Sequence, residues 1–142
     1  FVANFVGNPP MNMIPVEGTV EGERLQLRAH GVLVRDLPIS SGIKAALGKG
    51  AGLTLGVRPE HLSMGTINDV NMVSGKLFAN ENMGPEKLVT FERQDGGRVT
   101  ARIFTDDAVE TTENVAFTFD GAHATLFDSE GKRIPADGEM PL

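Results

Sequence analysis

Leu53-Thr54-Leu55-Gly56-Val57-Arg58-Pro59-Glu60-His61-Leu62 changes character halfway along, and that change decides the fold. Its first half alternates, with Leu53, Leu55 and Val57 on one face and Thr54, Gly56 and Arg58 on the other, the period of a half-buried strand. Pro59 fixes its own φ, lacks an N–H and disfavours helix at Arg58, so the strand stops there. A guanidinium, a carboxylate and an imidazole follow within four residues, enough chemistry to raise the question of an active site. No nucleophile or metal partner accompanies them. The reading favoured on chemistry alone is a locked corner, with Arg58 tying loop carbonyls and the Glu60 carboxylate.

The same alternation recurs on both sides of this corner. Val16 to Val20 and Leu25 to Ala29 flank Glu21-Gly22-Glu23, and Lys87 to Arg93 and Arg98 to Phe104 flank Gln94-Asp95-Gly96-Gly97, both hairpin signals. Val32 to Arg35, Met72 to Glu81, Val115 to Phe119 and His123 to Asp128 add further short strands. The pattern predicts an all-β barrel or sandwich of short antiparallel strands with a short N-terminal helix; an OB-like Greek-key barrel is the preferred form, although nothing in the spacings forces the strand order. That helix rests on Phe1, Phe5, Val2 and Val6 at i,i+4 spacing. It opens on its own apolar face and reads as the tail of something longer. The expected division is a linker-helix tail over 1–12, the barrel over 13–134 and a polar tail over 135–142.

Ser40 to Gly52 is glycine-rich and invites a phosphate-loop reading, which fails on spacing. A P-loop has four residues between its glycines and then Lys-Ser/Thr, whereas five separate Gly42 from Gly48 and Gly50 follows Lys49. The segment is therefore read as a connecting loop.

Composition excludes several classes. The net charge of −6 offers no basic stripe for phosphates, and Glu92, Asp95, Asp106 and Asp107 surround Arg93, Arg98 and Arg102. The absence of cysteine rules out disulfides, thiolate ligands and a cysteine nucleophile. No apolar run approaches the roughly 20 residues that span a bilayer. His30, His61 and His123 lie far apart in sequence and read as solitary surface or turn residues. Asp106, Asp107 and Glu110 read as a solvated acidic surface. Phe117, Phe119 and Phe127 could stack bases on an OB-type sheet, but their acidic neighbours favour core packing.

Three stretches carry a family resemblance, in this order: Phe5-Val6-Gly7-Asn8-Pro9-Pro10-Met11-Asn12, Leu55 to Leu62, and Leu126-Phe127-Asp128-Ser129-Glu130-Gly131-Lys132-Arg133. Together they resemble the C-terminal regulatory domain of the ATP-binding subunit of an ABC importer. The type is that of the maltose, multiple-sugar and glycerol-3-phosphate systems, with hallmarks F-I-G-x-P-x-M-N, L-G-I-R-P-E-H and H-L-F-D-x-x-T-G. Ala124-Thr125 departs from the usual lead into the last motif, and Met83 replaces Leu in the family's E-x-L-G turn at Glu81-Asn82-Met83-Gly84.

The resemblance implies an OB-like domain, often called TOBE, appended to a nucleotide-binding domain. The parent protein would use ATP and Mg to drive uptake of a sugar or glycerol phosphate. It would work as a pair of copies, cytoplasmic and peripheral on the inner face of the plasma membrane, beneath transmembrane permease subunits. This chain matches no Walker A, signature or Walker B motif, so it is expected to be no enzyme and to hold no catalytic residue, metal or cofactor itself. Carried over by position, Gly56, Arg58, Pro59, Glu60 and His61 form a structural or interface motif, and Phe5, Gly7, Pro9, Met11 and Asn12 a linker motif. Phe127 falls near the surface that meets a regulatory protein in some members. Two alternatives stay open: a domain sensing a small solute or anion, and an OB-fold nucleic-acid module, against which the charge argues. The transported solute is not legible, because specificity in such importers resides in other subunits.

Overall fold

A computed structural model describes residues 10–48, 52–104 and 114–135. Its elements are β1 (Asn12–Glu21), β2 (Arg24–Ala29), β3 (Val32–Pro38), α1 (Ser41–Gly48), β4 (Leu53–Val57), β5 (Ser63–Met64), β6 (Asn71–Asn82), β7 (Glu86–Glu92), β8 (Arg98–Phe104), β9 (Asn114–Thr118) and β10 (Thr125–Phe127). Single 3₁₀ turns cover Pro59–His61 and Gly121–His123. The expected N-terminal helix, the acidic segment 105–113 and the polar tail 136–142 lie outside the described residues.

All pairings are antiparallel, and the spatial order β4-β1-β2-β3 is that of a Greek key. Two long strands curl the sheet by changing partners midway. β1 pairs with β4 over Asn12–Val16 and with β2 over Glu17–Glu21. β6 pairs with β9 over Met72–Lys76 and with β7 from Lys76 to Asn82. Each strand thus belongs to two walls, which curls the sheet into a half-barrel with β8 left as an edge. The β7–β8 turn shows the local chemistry that sets register. Gly96 takes a φ of 88°, and the Asp95 carboxylate accepts the Gly97 N–H at 2.9 Å.

The alternation read from sequence fills the interior. Leu25, Leu27, Val34, Leu55, Val89, Phe91 and Ala101 are fully buried, and the Phe91 and Phe117 rings stack at 5.3 Å between centroids. Apart from the smaller Ala101, each such side chain contributes about 1.5–3 kcal/mol of transfer free energy relative to exposure. Phe117 is fully buried and Phe119 and Phe127 are each 5% exposed, so these three rings pack in the core and offer no open platform for bases.

The glycine-rich segment corrects the sequence reading. Ser41–Gly48 is a helix, not a loop. The Ser40 hydroxyl caps it by accepting the Ile43 N–H at 3.2 Å, and Ile43, Ala46 and Leu47 turn one face onto the barrel core. Gly42 and Gly48 signal loop, but the residues between them include the good helix formers Lys44, Ala45, Ala46 and Leu47. Among the described residues no helix is long and apolar enough to cross a membrane.

Candidate functional site: a corner where three motifs meet

β4 delivers the chain to Arg58 in an extended conformation (φ −73°, ψ 145°), and Pro59 opens the 3₁₀ turn as a proline can, having no N–H to lose. The turn closes through the His61 N–H on the Arg58 carbonyl at 3.0 Å and the Leu62 N–H on the Pro59 carbonyl at 3.3 Å. Pro59 and Leu62 are buried, Arg58 and His61 are partly covered, and Glu60 is exposed. Among the described residues no ion pair joins Arg58 to Glu60, and the Arg58 side chain makes no cap hydrogen bond to the turn. The expected Arg58–Glu60 clamp is therefore not formed among the described residues. Burial of the residues on either side of Glu60 and His61 holds the corner.

A second corner faces it. Asp120 precedes the turn Gly121–His123, and its carboxylate accepts the Ala122 N–H at 2.9 Å. β10 pairs with β4 (Gly56 opposite Thr125), and β5 pairs with β9 (Ser63 opposite Thr118), in one continuous register. The two strand–turn–strand units thus run antiparallel past each other, with their turns opposed. The imidazoles of His61 and His123 stack between them, 3.9 Å between centroids and 21° from parallel. These two histidines are not solitary, contrary to the expectation from spacing; His30 is exposed on the β2–β3 turn. Cofacial rings direct their nitrogen lone pairs along parallel planes, which does not converge on one ion. No group of three metal-type ligands occurs among the described residues. The His61 Nδ1 is buried without a hydrogen-bond partner.

The other two motifs arrive at the same place. Asn12 is 8% exposed. Its amide donates to the Val57 carbonyl at 3.1 Å and the Thr100 carbonyl at 2.8 Å, and its Oδ1 accepts the Thr100 N–H at 2.9 Å. A Cβ added to Gly56 would sit 2.6 Å from the Met11 sulfur and 2.9 Å from Cε1 of Phe127, so both side chains rest on bare backbone there. Met11 and Asn12 come from the linker motif, Gly56 from the central motif and Phe127 from the last. Phe5, Gly7 and Pro9 lie outside the described residues. Phe127, expected near a partner surface, is itself covered, so a partner at this face would meet its neighbours and not its ring.

Sequence reasoning missed the amides. Asn12 shares a face with Ile14 and Val16, and Asn71 shares one with Val73. A polar residue on an inward face was the available signal, since such a group must find partners. Asn71 does so by donating to the Phe119 carbonyl at 3.1 Å and accepting the Arg35 N–H at 3.3 Å.

Residues 7–62 match the family model of the MalK OB fold domain. The chain is 30% identical to the xylose/arabinose import ATP-binding protein XacK of Haloferax volcanii, over 99% of this chain and 36% of that protein. It is 28% identical to the sn-glycerol-3-phosphate import ATP-binding protein UgpC of Vibrio vulnificus, again over 99% and 36%. The maltose/maltodextrin import ATP-binding protein MalK of the same species is 30% identical over 93% of this chain and 35% of its own length. The chain thus spans about a third of the length of these relatives. Among solved structures, the cytoplasmic molybdate-binding protein ModG superposes with a TM-score of 0.56 at 10% identity, covering 81% of this chain and 94% of that one, a likeness of fold alone. The Greek-key order, the motifs gathered around Gly56 and the end-to-end match to importer subunits give one conclusion: the chain belongs to the family of OB-fold domains of ABC importer ATP-binding subunits.

Proposed function

We propose that this chain is the regulatory and dimerisation domain of an ABC importer subunit that couples ATP hydrolysis to uptake of a sugar or a related solute such as glycerol phosphate. The observation that carries the reading is the meeting of the linker, central and C-terminal motifs on Gly56, because it makes all three parts of one built corner. The printed names of the relatives support the transport of sugars or glycerol phosphate. ATP and Mg belong to the part of the parent that these relatives have beyond this match, and the chain itself contributes no catalytic group. The parent sits in the cytoplasm against the inner membrane face, bound to permease subunits, with a second copy beside it and a regulatory protein as a further partner. Light scattering of the chain at high concentration tests the pairing: self-association is expected, and a strict monomer counts against the dimerisation role. ATP hydrolysis by the full-length protein tests the parent's role.

One observation favours a second reading, the sensing of a small solute. A cleft of about 590 Å³ lies between the β3–α1 junction and β10, floored by Leu37, Ile43 and Leu126 and rimmed by Arg24, Asp36 and Arg133. Its size suits a small ligand. Calorimetry with monosaccharides, glycerol phosphate and oxyanions decides it, and flat traces for all of them dismiss it.

A further inference from the structure

Segments that join domains are ordinarily exposed, polar and poor in contacts, which is what lets domains swing. Met11-Asn12 has the opposite character. The Asn12 side chain is buried and makes three hydrogen bonds to the barrel: both amide hydrogens reach carbonyls, on Val57 and Thr100, and the oxygen takes the Thr100 N–H. Only this orientation of the amide satisfies every group, since a flip would set its oxygen against two carbonyls. Bonding both the N–H and the C=O of Thr100, the side chain does at the β8 edge what a neighbouring strand would do. It thereby bridges β8 to β4, which are not neighbours in the sheet. The backbone of Asn12 opens the β1–β4 ladder opposite Val57, and Met11 covers Gly56 beside Phe127.

From this we infer that Met11-Asn12 is a rigid joint pinned by the Asn12 amide. Any swing between this domain and the chain before it is confined to positions preceding Met11. Movement there would have to break three hydrogen bonds together and strip the cover from Gly56, and a fully satisfied buried network resists such piecemeal opening. A rotation of the preceding domain then reaches β4, β8 and, through Phe127, β10 as a rigid-body displacement. The inference rests on the proposed reading in that it takes a nucleotide-binding domain to precede this one.

Amide hydrogen exchange on the full-length protein tests it. Met11–Ile14 should exchange as slowly as Leu53–Val57, and exchange orders of magnitude faster than β4 would overturn the joint. Asn12→Leu fills the site but makes none of the three bonds. It should raise exchange at least tenfold over Met11–Ile14 and at Thr100, with β6 and β7 unchanged. It should also broaden the distance distribution between a spin label at exposed Gln94 and one in the preceding domain. An unchanged exchange pattern and an unchanged distribution would each count against the pin. If Asn12→Leu does not fold, the wild-type exchange comparison still decides. Failure of the full-length protein to bind nucleotide would sink the functional reading and leave the exchange result standing, so the two failures are separable.

Discussion

Gly56→Ala adds one methyl group at the point where three motifs touch, and the structure sets the sign of its effect. The backbone there is ordinary strand, so alanine removes unfolded-state freedom and by itself gains about 0.5–1 kcal/mol. Against this, the new Cβ would lie 2.6 Å from the Met11 sulfur, 2.9 Å from Cε1 of Phe127 and 3.5 Å from Cγ of Met11. Met11 is unbranched and partly exposed, so it can move aside. Phe127 cannot do so as easily, because it is 5% exposed and lies in a strand whose three residues all pair with β4. Overpacking of this kind costs about 1–3 kcal/mol. The two terms leave a net loss of about 0–2.5 kcal/mol, and because Phe127 has little room to give, about 1–2 kcal/mol is expected, which lowers the melting temperature by roughly 3–8 °C for a domain of this size. With no tryptophan or tyrosine in the chain, the assay is urea and thermal unfolding followed by far-UV circular dichroism. The midpoint should fall without a change in the urea slope. Met11→Ala in the same chain should recover part of the loss, giving a coupling of at least about 0.5 kcal/mol. A Gly56→Ala chain as stable as the parent, or more so, would refute the claim that this contact is tight.

Arg58→Ala should cost less than about 1 kcal/mol, the value of a partly covered aliphatic stem, because the guanidinium makes no ion pair with Glu60; a loss above roughly 2 kcal/mol in urea unfolding would restore the clamp. A double-mutant cycle on His61→Ala and His123→Ala should return a coupling of about 0.5–1.5 kcal/mol, the range for stacked rings, and a coupling of zero would remove the stack as a support of the opposed turns. Ser40→Ala should cost about 0.5–2 kcal/mol through loss of the α1 cap, read as a fall in the unfolding midpoint; no fall would mean that packing of Ile43 and Ala46 alone holds the helix.

Much of the barrel is legible in the sequence because strand period and turn chemistry are local. Leu53-Thr54-Leu55 and Val89-Thr90-Phe91 each show which side faces inward within a few residues, and Asp95-Gly96-Gly97 fixes a hairpin by its own backbone demands. The motif from Gly56 to His61 identifies the family without any coordinates. The helix Ser41–Gly48 is not legible in the sequence, because its glycines signal loop and the apolar face of Ile43, Ala46 and Leu47 gains its value only from a barrel end to cover.

The role of each residue in the corner is a different matter. From sequence, Arg58 and Glu60 looked like a pair and His61 and His123 like strangers; the structure reverses both. Two adjacent charges need not meet when the turn between them directs one outward. Two distant rings meet when a shared register lays one strand–turn–strand unit along the other. Asn12 likewise finds Thr100 at a separation of 88 residues. Sequence determined the alternation, the turns and the family. Only the tertiary fold decided which side chains hold the corner, because contact between distant segments depends on pairing register, and no local pattern encodes the register of strands that far apart.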